Sequence, residues 1–590
     1  MSSCIRSVLV LCTFILVVFS ARPAIAGDAG TQSMDQEMAR LLPDGAFVVV
    51  YTPSLSKMTS DLTALVKEVN PQAAGMLMFM GPETLLKMQL NTKNKIRTDM
   101  PAAVAVVPGK KLEDDPTPTF IFAVQGATAE TVKATDKSNT LVFLEGTDWV
   151  ALTQGDAYTP KPAGTKVPAI ASNMLPGMLA ISFDQAMLRT MFGDAMEKNI
   201  AEAFNEGNNA SDPKIKAEVK KINDQVAGKI ANGFDRWDYG AKFDLETPGF
   251  TLQYTPATPT WIMEPSPGLA QIGGRLASGL PMQVVVSKDM MNMLMSISRL
   301  FLSAEGAETN ASVATFFELN QQMIDQIVGG AGMSMGMSDE GMNIVKTMRV
   351  KDVKTFLGQV DTQAKFFNES SWGITCEQIP VTVGAETSRA YRFKFDMDKF
   401  KKAFPSEFGK ENGSFAGGLL QSDGRMAEVL STMQGPDGLI VRMISKEDWV
   451  AIVIGDAKLL GSARRALAQG TASNTLLSNA FEQAYSTPVA GMSLEARSFL
   501  IGLGKYAKAN LTVGKLLANG GSDPFAMFAA LPTSPAMPVY ASWSATEKAN
   551  QINWSVDMKG LVALFKDMEK MAQEAEKKQK ATATGKSDKP

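Results

Sequence analysis

The chain is 590 residues long, with 20% charged residues, 45% hydrophobic residues and a formal net charge of −3. That length exceeds what one hydrophobic core organises and implies two or more domains, while the near-neutral, slightly acidic balance offers no electrostatic footprint for nucleic acid. Histidine is absent, which removes the residue most used for general acid-base work near neutral pH and for binding zinc.

The N-terminus carries Arg6, an apolar run from Val8 to Phe19 broken by Thr13, and then Ala24-Ile25-Ala26. A basic start, an apolar stretch and a small-x-small triplet predict a cleavable export signal over residues 1–26. The run is shorter than the roughly 20 residues that a membrane-spanning helix needs, and no later stretch is long enough either. Leu11 precedes Cys12 where a lipidation signal wants a small residue. The mature protein is therefore expected to be soluble, in the periplasm or outside the cell. Cys4 and Cys12 leave with the signal, so Cys376 has no intrachain partner for a disulfide.

A first unit is expected over residues 27–262. Val48 to Tyr51 reads as a strand leading into Thr52-Pro53, a cap and a first helical position, and Leu55, Met58, Leu62, Leu65 and Val69 then line one helix face. Thr140 to Leu144 and the segment from Trp149 predict a hairpin, Ile181 to Asp184 a strand before an apolar helix, and Ala241 to Tyr254 a hairpin turning at Pro248-Gly249. Four prolines between Pro256 and Gly268 suit neither a helix nor a central strand and mark the boundary.

A second, longer unit is expected over residues 263–575. Val284 to Val286 reads as a strand, Ser287 as a cap, and Met290, Leu294, Ile297 and Phe301 as a helix stripe. Met333, Met335 and Met337 alternate before a turn at Ser338 to Gly341, after which Met342, Ile344 and Met348 resume, which predicts another hairpin. Asp352, Asp396 and Asp557 follow strands and precede helices, as caps do. A strand at Gly438 to Ile444 leads towards Trp449, and Val539 to Val556 forms a closing hairpin that turns near Ala545 to Asn550. Leu561 to Ala575 continues as helix, and the charged tail 576–590 is expected to be disordered.

The halves echo one another. Asp148-Trp149-Val150-Ala151 leading to Gly155-Asp156-Ala157 recurs as Asp448-Trp449-Val450-Ala451 leading to Gly455-Asp456-Ala457, and Ile181-Ser182-Phe183-Asp184 is echoed by Met492-Ser493-Leu494-Glu495. Antiparallel hairpins alternating with capped helices predict an α+β protein of two tandem related units, each an antiparallel curved sheet with helices packed on one face. A doubly wound parallel sheet is the alternative.

Motifs that would carry chemistry each have a plainer explanation. Gly332-Met333-Ser334-Met335-Gly336 matches the serine-hydrolase elbow, but the chain has no histidine base and the surrounding alternation describes a hairpin. Ser54-Leu55-Ser56-Lys57 fits Ser-x-x-Lys without the partner motifs that such catalysts need. Methionine totals 36, clustered over residues 76–80, 290–295 and 333–337. The spacings point to core or to an adaptable apolar binding surface before copper ligation. Glu113-Asp114-Asp115 and Asp396 with Asp398 lack the ligand count of a calcium loop. Gly585-Lys586-Ser587 lacks the upstream glycine of a phosphate loop. Trp149 and Trp449, at equivalent places in the two hairpins, read as packing residues.

Leu41-Leu42-Pro43-Asp44-Gly45-Ala46 followed by Phe47 to Tyr51 and a capped helix, together with the hairpins at Asp339-Glu340-Gly341 and before Trp149, resembles a widespread family of uncharacterised exported bacterial proteins. That family has no established activity, so the resemblance supplies no functional residues. No catalytic, cofactor-binding or metal residue is assigned and no cofactor is expected. The expectation is a non-enzymatic envelope or secreted protein that binds a macromolecular partner or an apolar ligand, with a carboxylate-dependent hydrolase or a structural layer component as the alternatives.

Overall fold

The computed structural model describes residues 32–584, apart from 110–114, 207–216, 244–248, 258–262, 305–310, 381–387, 401–437, 470–487, 510–527, 546–548 and scattered single positions or pairs within 70–80, 155, 218–230, 265–267 and 397–400. Residues 1–26, read from the sequence as an export signal, and the tail beyond 584 lie outside the described residues. The protein is α+β, and its described strand pairings are antiparallel.

The chain divides into two compact units. The first comprises 1–200, 227–262 and 545–562, and the second 201–226, 263–544 and 563–590. In chain order the first half runs α1 (Gln36–Ala39), β1 (Val48–Thr52), α2 (Leu55–Val69), α3 (Pro82–Gln89), β2 (Leu90–Thr92), β3 (Ala102–Val107), β4 (Thr117–Ala123), β5 (Val132–Ala134), β6 (Asn139–Phe143), β7 (Trp149–Gln154), α4 (Ala169–Ser172), β8 (Leu179–Asp184), α5 (Gln185–Glu206), β9 (Phe234–Lys242) and β10 (Gly249–Pro256). Then follow α6 (Leu269–Gly273), β11 (Met282–Ser287), α7 (Lys288–Ala304), α8 (Ala311–Gln326), β12 (Ile327–Ser338), β13 (Gly341–Val350), α9 (Val353–Glu369), β14 (Ile374–Ile379) and β15 (Ser388–Phe395). The chain closes with β16 (Leu439–Lys446), β17 (Trp449–Ile454), α10 (Leu459–Gln469), β18 (Pro488–Glu495), α11 (Ala496–Ala509), β19 (Pro538–Ala545), β20 (Asn550–Val556) and α12 (Met558–Thr584).

The sheet of the first unit runs β6-β7-β4-β3-β1-β8-β9-β10-β20. That of the second runs β14-β15-β16-β17-β13-β12-β11-β18-β19. Leaving aside the β14-β15 hairpin at one edge, the two orders correspond strand for strand from β6 with β16 to β9 with β19. The correspondence extends to single bonds. The Val124 amide donates to the Asp148 carbonyl at 2.8 Å, as the Val350 amide does to Asp448.

The helices differ from expectation in covering both faces of each sheet. In the first unit, Val49, Tyr51, Ile121 and Trp149 pack on one side with Met38, Ile170 and Met174, while Phe122, Val150 and Leu152 on the other pack with Leu90, Ile96 and Leu86. In the second, Val285, Val345, Trp449 and Val453 meet α6 and α10, while Ala331, Met348, Val350 and Val450 meet Phe356, Leu357 and Val360 of α9. The reason is legible in Trp149-Val150-Ala151-Leu152 and Trp449-Val450-Ala451: runs of consecutive apolar residues, rather than alternating ones, need cover on both sides.

Strand-to-helix capping is local chemistry, and it forms largely as read. Ser287 accepts from the Met290 amide, Asp352 from Thr355, Asp396 from Lys399 and Asp557 from Lys559. The cap before α2 is displaced. Thr52 remains in β1, paired opposite Ala102, and Ser54 accepts from the Lys57 amide instead. At the other end, α12 continues through Thr584 into residues expected to be disordered. Ala, Gln, Glu and Lys, which fill that stretch, are strong helix formers.

Candidate functional site

The second unit holds a cavity of about 290 Å³ lined by residues of six elements. Helix α7 contributes Met291, Leu294 and Met295, positions three and four apart that share a helix face. Helix α8 contributes Asn320, Met323 and Ile324, and Ile327 follows at the start of β12. Alternation along β13 brings Lys346 and Met348 to the same side of the sheet, where Ile452 of β17 and Phe356 of α9 complete the lining.

Polar bonds around the lining tie these walls together. Lys288 Nζ donates to the Asp325 carbonyl at 3.0 Å, and Gln321 Nε2 donates to Asn292 Oδ1 at 3.1 Å, joining α7 to α8. Gln363 Nε2 donates to Asn320 Oδ1 at 3.4 Å, joining α9 to α8. Beside them Phe316, Phe366, Phe367 and Trp372 pack with ring centroids 5.2 to 6.4 Å apart, distances at which aromatic pairs stiffen a junction. Leu294 is the exposed side chain of the lining, at 48% of its full accessibility.

Among the described residues Lys346 is the single charged one in the lining. In register it stands opposite Met333 on β12 and Ile452 on β17. Among the described residues no hydrogen bond or ion pair reaches its ammonium. Burial pushes its pKa below the ordinary lysine value, because an apolar surrounding penalises the charged form. Asn320 is already committed: its Nδ2 donates to the Phe316 carbonyl at 2.8 Å. The site can therefore exclude water from an apolar body and offer one cation to it.

The other sequence candidates lie elsewhere. Ser334 is wholly buried in the middle of β12, facing away from the alternating methionines, so Gly332 to Gly336 is a hairpin arm and not a turn. Ser54 caps α2 and Lys57 pairs with Asp61 at 2.7 Å. Cys376 is buried and its thiol is pushed up to about 11, which keeps it protonated. Trp149 and Trp449 are buried core residues, the latter with the Arg275 guanidinium 4.4 Å from its ring centre. Of the first methionine cluster Met78 is exposed, and the rest lie outside the described residues. Of the second, Met291 and Met295 line the cavity while Met290, expected on the same stripe as Leu294, is core. Of Glu113, Asp114 and Asp115, only Asp115 is described, and it is exposed. Among the described residues no group of three or more Cys, Asp or Glu side chains is placed to hold a metal ion, and no helix is long and apolar enough to cross a membrane.

Lys346 was not singled out from the sequence, although its signal was there. Met342, Ile344, Lys346 and Met348 occupy one face of a strand, and a lysine stands where the alternation calls for an apolar residue.

No family model and no characterised protein matches the chain. Among solved structures, two crystal forms of TP0453 are similar at 7% and 8% identity, over 50% and 52% of this chain and 96% and 98% of that one, with TM-scores of 0.22 and 0.20. At such scores the likeness supports no argument about fold or function.

Proposed function

We propose that this chain is an exported, non-enzymatic binding protein whose second unit takes a small apolar or amphiphilic ligand into the methionine-lined cavity. The observation that carries this reading is the lining itself: apart from Asn320 and Lys346, every residue is apolar, and Met291, Met295, Met323 and Met348 are side chains that adapt to irregular ligand shapes. The volume of about 290 Å³ is close to the lower bound of small-molecule sites. Export rests on the signal read at residues 1–26, and the resemblance to exported bacterial proteins agrees with it. The shared strand order, the repeated Asp-Trp-Val-Ala segment and the matching Asp148 and Asp448 carbonyl bonds support descent of both units from one duplicated ancestor.

The test is native mass spectrometry of the mature protein together with displacement of a fluorescent apolar probe. The expected result is saturable probe binding and an adduct that leaves on unfolding. Met291→Trp, which fills the cavity from its helix wall, should weaken probe binding about tenfold or more. A bare mass together with no saturable probe binding would overturn the proposal.

A further inference from the structure

We infer that the ligand of this cavity is a single-chain amphiphile with one negative charge, a carboxylate of limited chain length whose head group pairs with Lys346. This rests on the reading that the cavity binds a ligand at all.

Charge and volume together select this guest. Among the described residues the lining from α7, α8, α9, β12 and β17 carries no ionisable side chain, so the ammonium of Lys346 is the one charge that this lining offers a ligand. A purely hydrocarbon guest would strip the remaining water from that ammonium and return nothing for it. A sugar or nucleotide would bring many donors and acceptors to walls that can satisfy none of them. A dianionic phosphate would bring more charge than one ammonium balances. A carboxylate on an alkyl chain meets both demands, since its oxygens accept from the ammonium while its chain covers the methionines. The volume, about 290 Å³, further excludes a two-chain membrane lipid from being enclosed.

The arrangement fixes which end of the guest goes where. Lys346 lies on the sheet, and the exposed Leu294 lies on α7. The head therefore reaches the sheet and the chain runs along α7 and α8. Binding of the anion favours the charged lysine that burial disfavours, so proton uptake by Lys346 and carboxylate binding reinforce one another.

The experiment compares dodecanoate, dodecanol and dodecyltrimethylammonium on the mature full-length chain by displacement of the apolar probe, for the natural protein and for Lys346→Met. The natural protein should prefer dodecanoate to dodecanol by about tenfold or more, the worth of a hydrogen bond to a charged group, and the cationic amphiphile should bind worst. Lys346→Met should lose that preference while holding dodecanol at least as tightly, and Lys346→Gln serves if the methionine variant does not fold. Raising the pH from about 7 to about 10 should weaken dodecanoate alone in the natural protein. If Lys346→Met binds dodecanoate as well as the natural chain does, the anchor is wrong although the cavity still binds amphiphiles. If probe, alcohol and acid all fail on the natural protein, the binding reading falls and this inference falls with it.

Discussion

Lys346 puts a cation where the sheet wants a hydrocarbon, and the consequence for stability has a definite sign. Its folded pKa lies below the unfolded value, so the unfolded chain binds more protons between the two, and stability rises as pH climbs through that window towards about 10.4. Lys346→Met should therefore stabilise the empty protein near neutral pH by about 1 kcal/mol, and the gain should shrink in alkaline solution. Urea unfolding at the two pH values measures both. Arg236 and Asp238 of the first unit show the opposite economy. Asp238 is almost wholly buried and accepts from Ser182 Oγ at 2.7 Å and from Arg236 Nε at 2.8 Å, while Arg236 also donates to the Ala169 and Asn173 carbonyls. Burial raises the Asp238 pKa against the pull of the arginine. Arg236→Ala would strand that carboxylate, and a loss of about 3 kcal/mol or more is expected in a thermal or urea melt.

At the scale of elements, what was readable and what was not separates by distance along the chain. Caps depend on three or four consecutive residues, so Ser287, Asp352, Asp396 and Asp557 could be named without a structure. The exception is instructive. Thr52 failed as a cap because β3 holds β1 extended through to its last residue, and that pairing is not local. The cavity was beyond reach for the same reason, since Met291 and Ile452 meet only through the order of β11 to β17. Ser54→Ala should accordingly cost about 1 kcal/mol, and Thr52→Ala should not uncap α2. A second non-local feature is a row of buried polar residues on the α6 side of the second sheet. Ser334, Gln283 and Ser493 stand directly opposite one another on β12, β11 and β18. Among the described residues no group bonds to the Ser334 or Ser493 hydroxyl, while Gln283 Nε2 reaches the Ala277 carbonyl at 3.3 Å. A hydroxyl that gains no protein bond returns little for its lost hydration, so Ser334→Ala and Ser493→Ala should each leave stability within about 1 kcal/mol or raise it. A loss of several kcal/mol in either variant would show that the row carries more than packing.

At the scale of the whole molecule, the sequence repeat and the compact units divide the chain differently. Read as a repeat, β19 and β20 close the second copy together. In the structure, residues 545–562 belong to the first unit, where β20 lies along β10 from Gly249 opposite Ser555 to Tyr254 opposite Asn550. The contact is sealed by Thr251 Oγ1 donating to Asn553 Oδ1 at 3.0 Å, with both residues buried. A sheet edge that loses its neighbour exposes a row of unpaired backbone groups, and here it would also expose a polar pair that water now does not reach. Strand β20 therefore protects a strand laid down some 300 residues earlier, and the first unit should not reach its full stability until β20 has been made. Ending the chain at Ser544 tests this by hydrogen exchange. The amides of β10 should lose protection while those of β1 and β3, in the middle of the same sheet, largely keep theirs. Unchanged protection at β10 would mean that the first unit closes without its C-terminal strand, as a simple tandem reading of the sequence would have it.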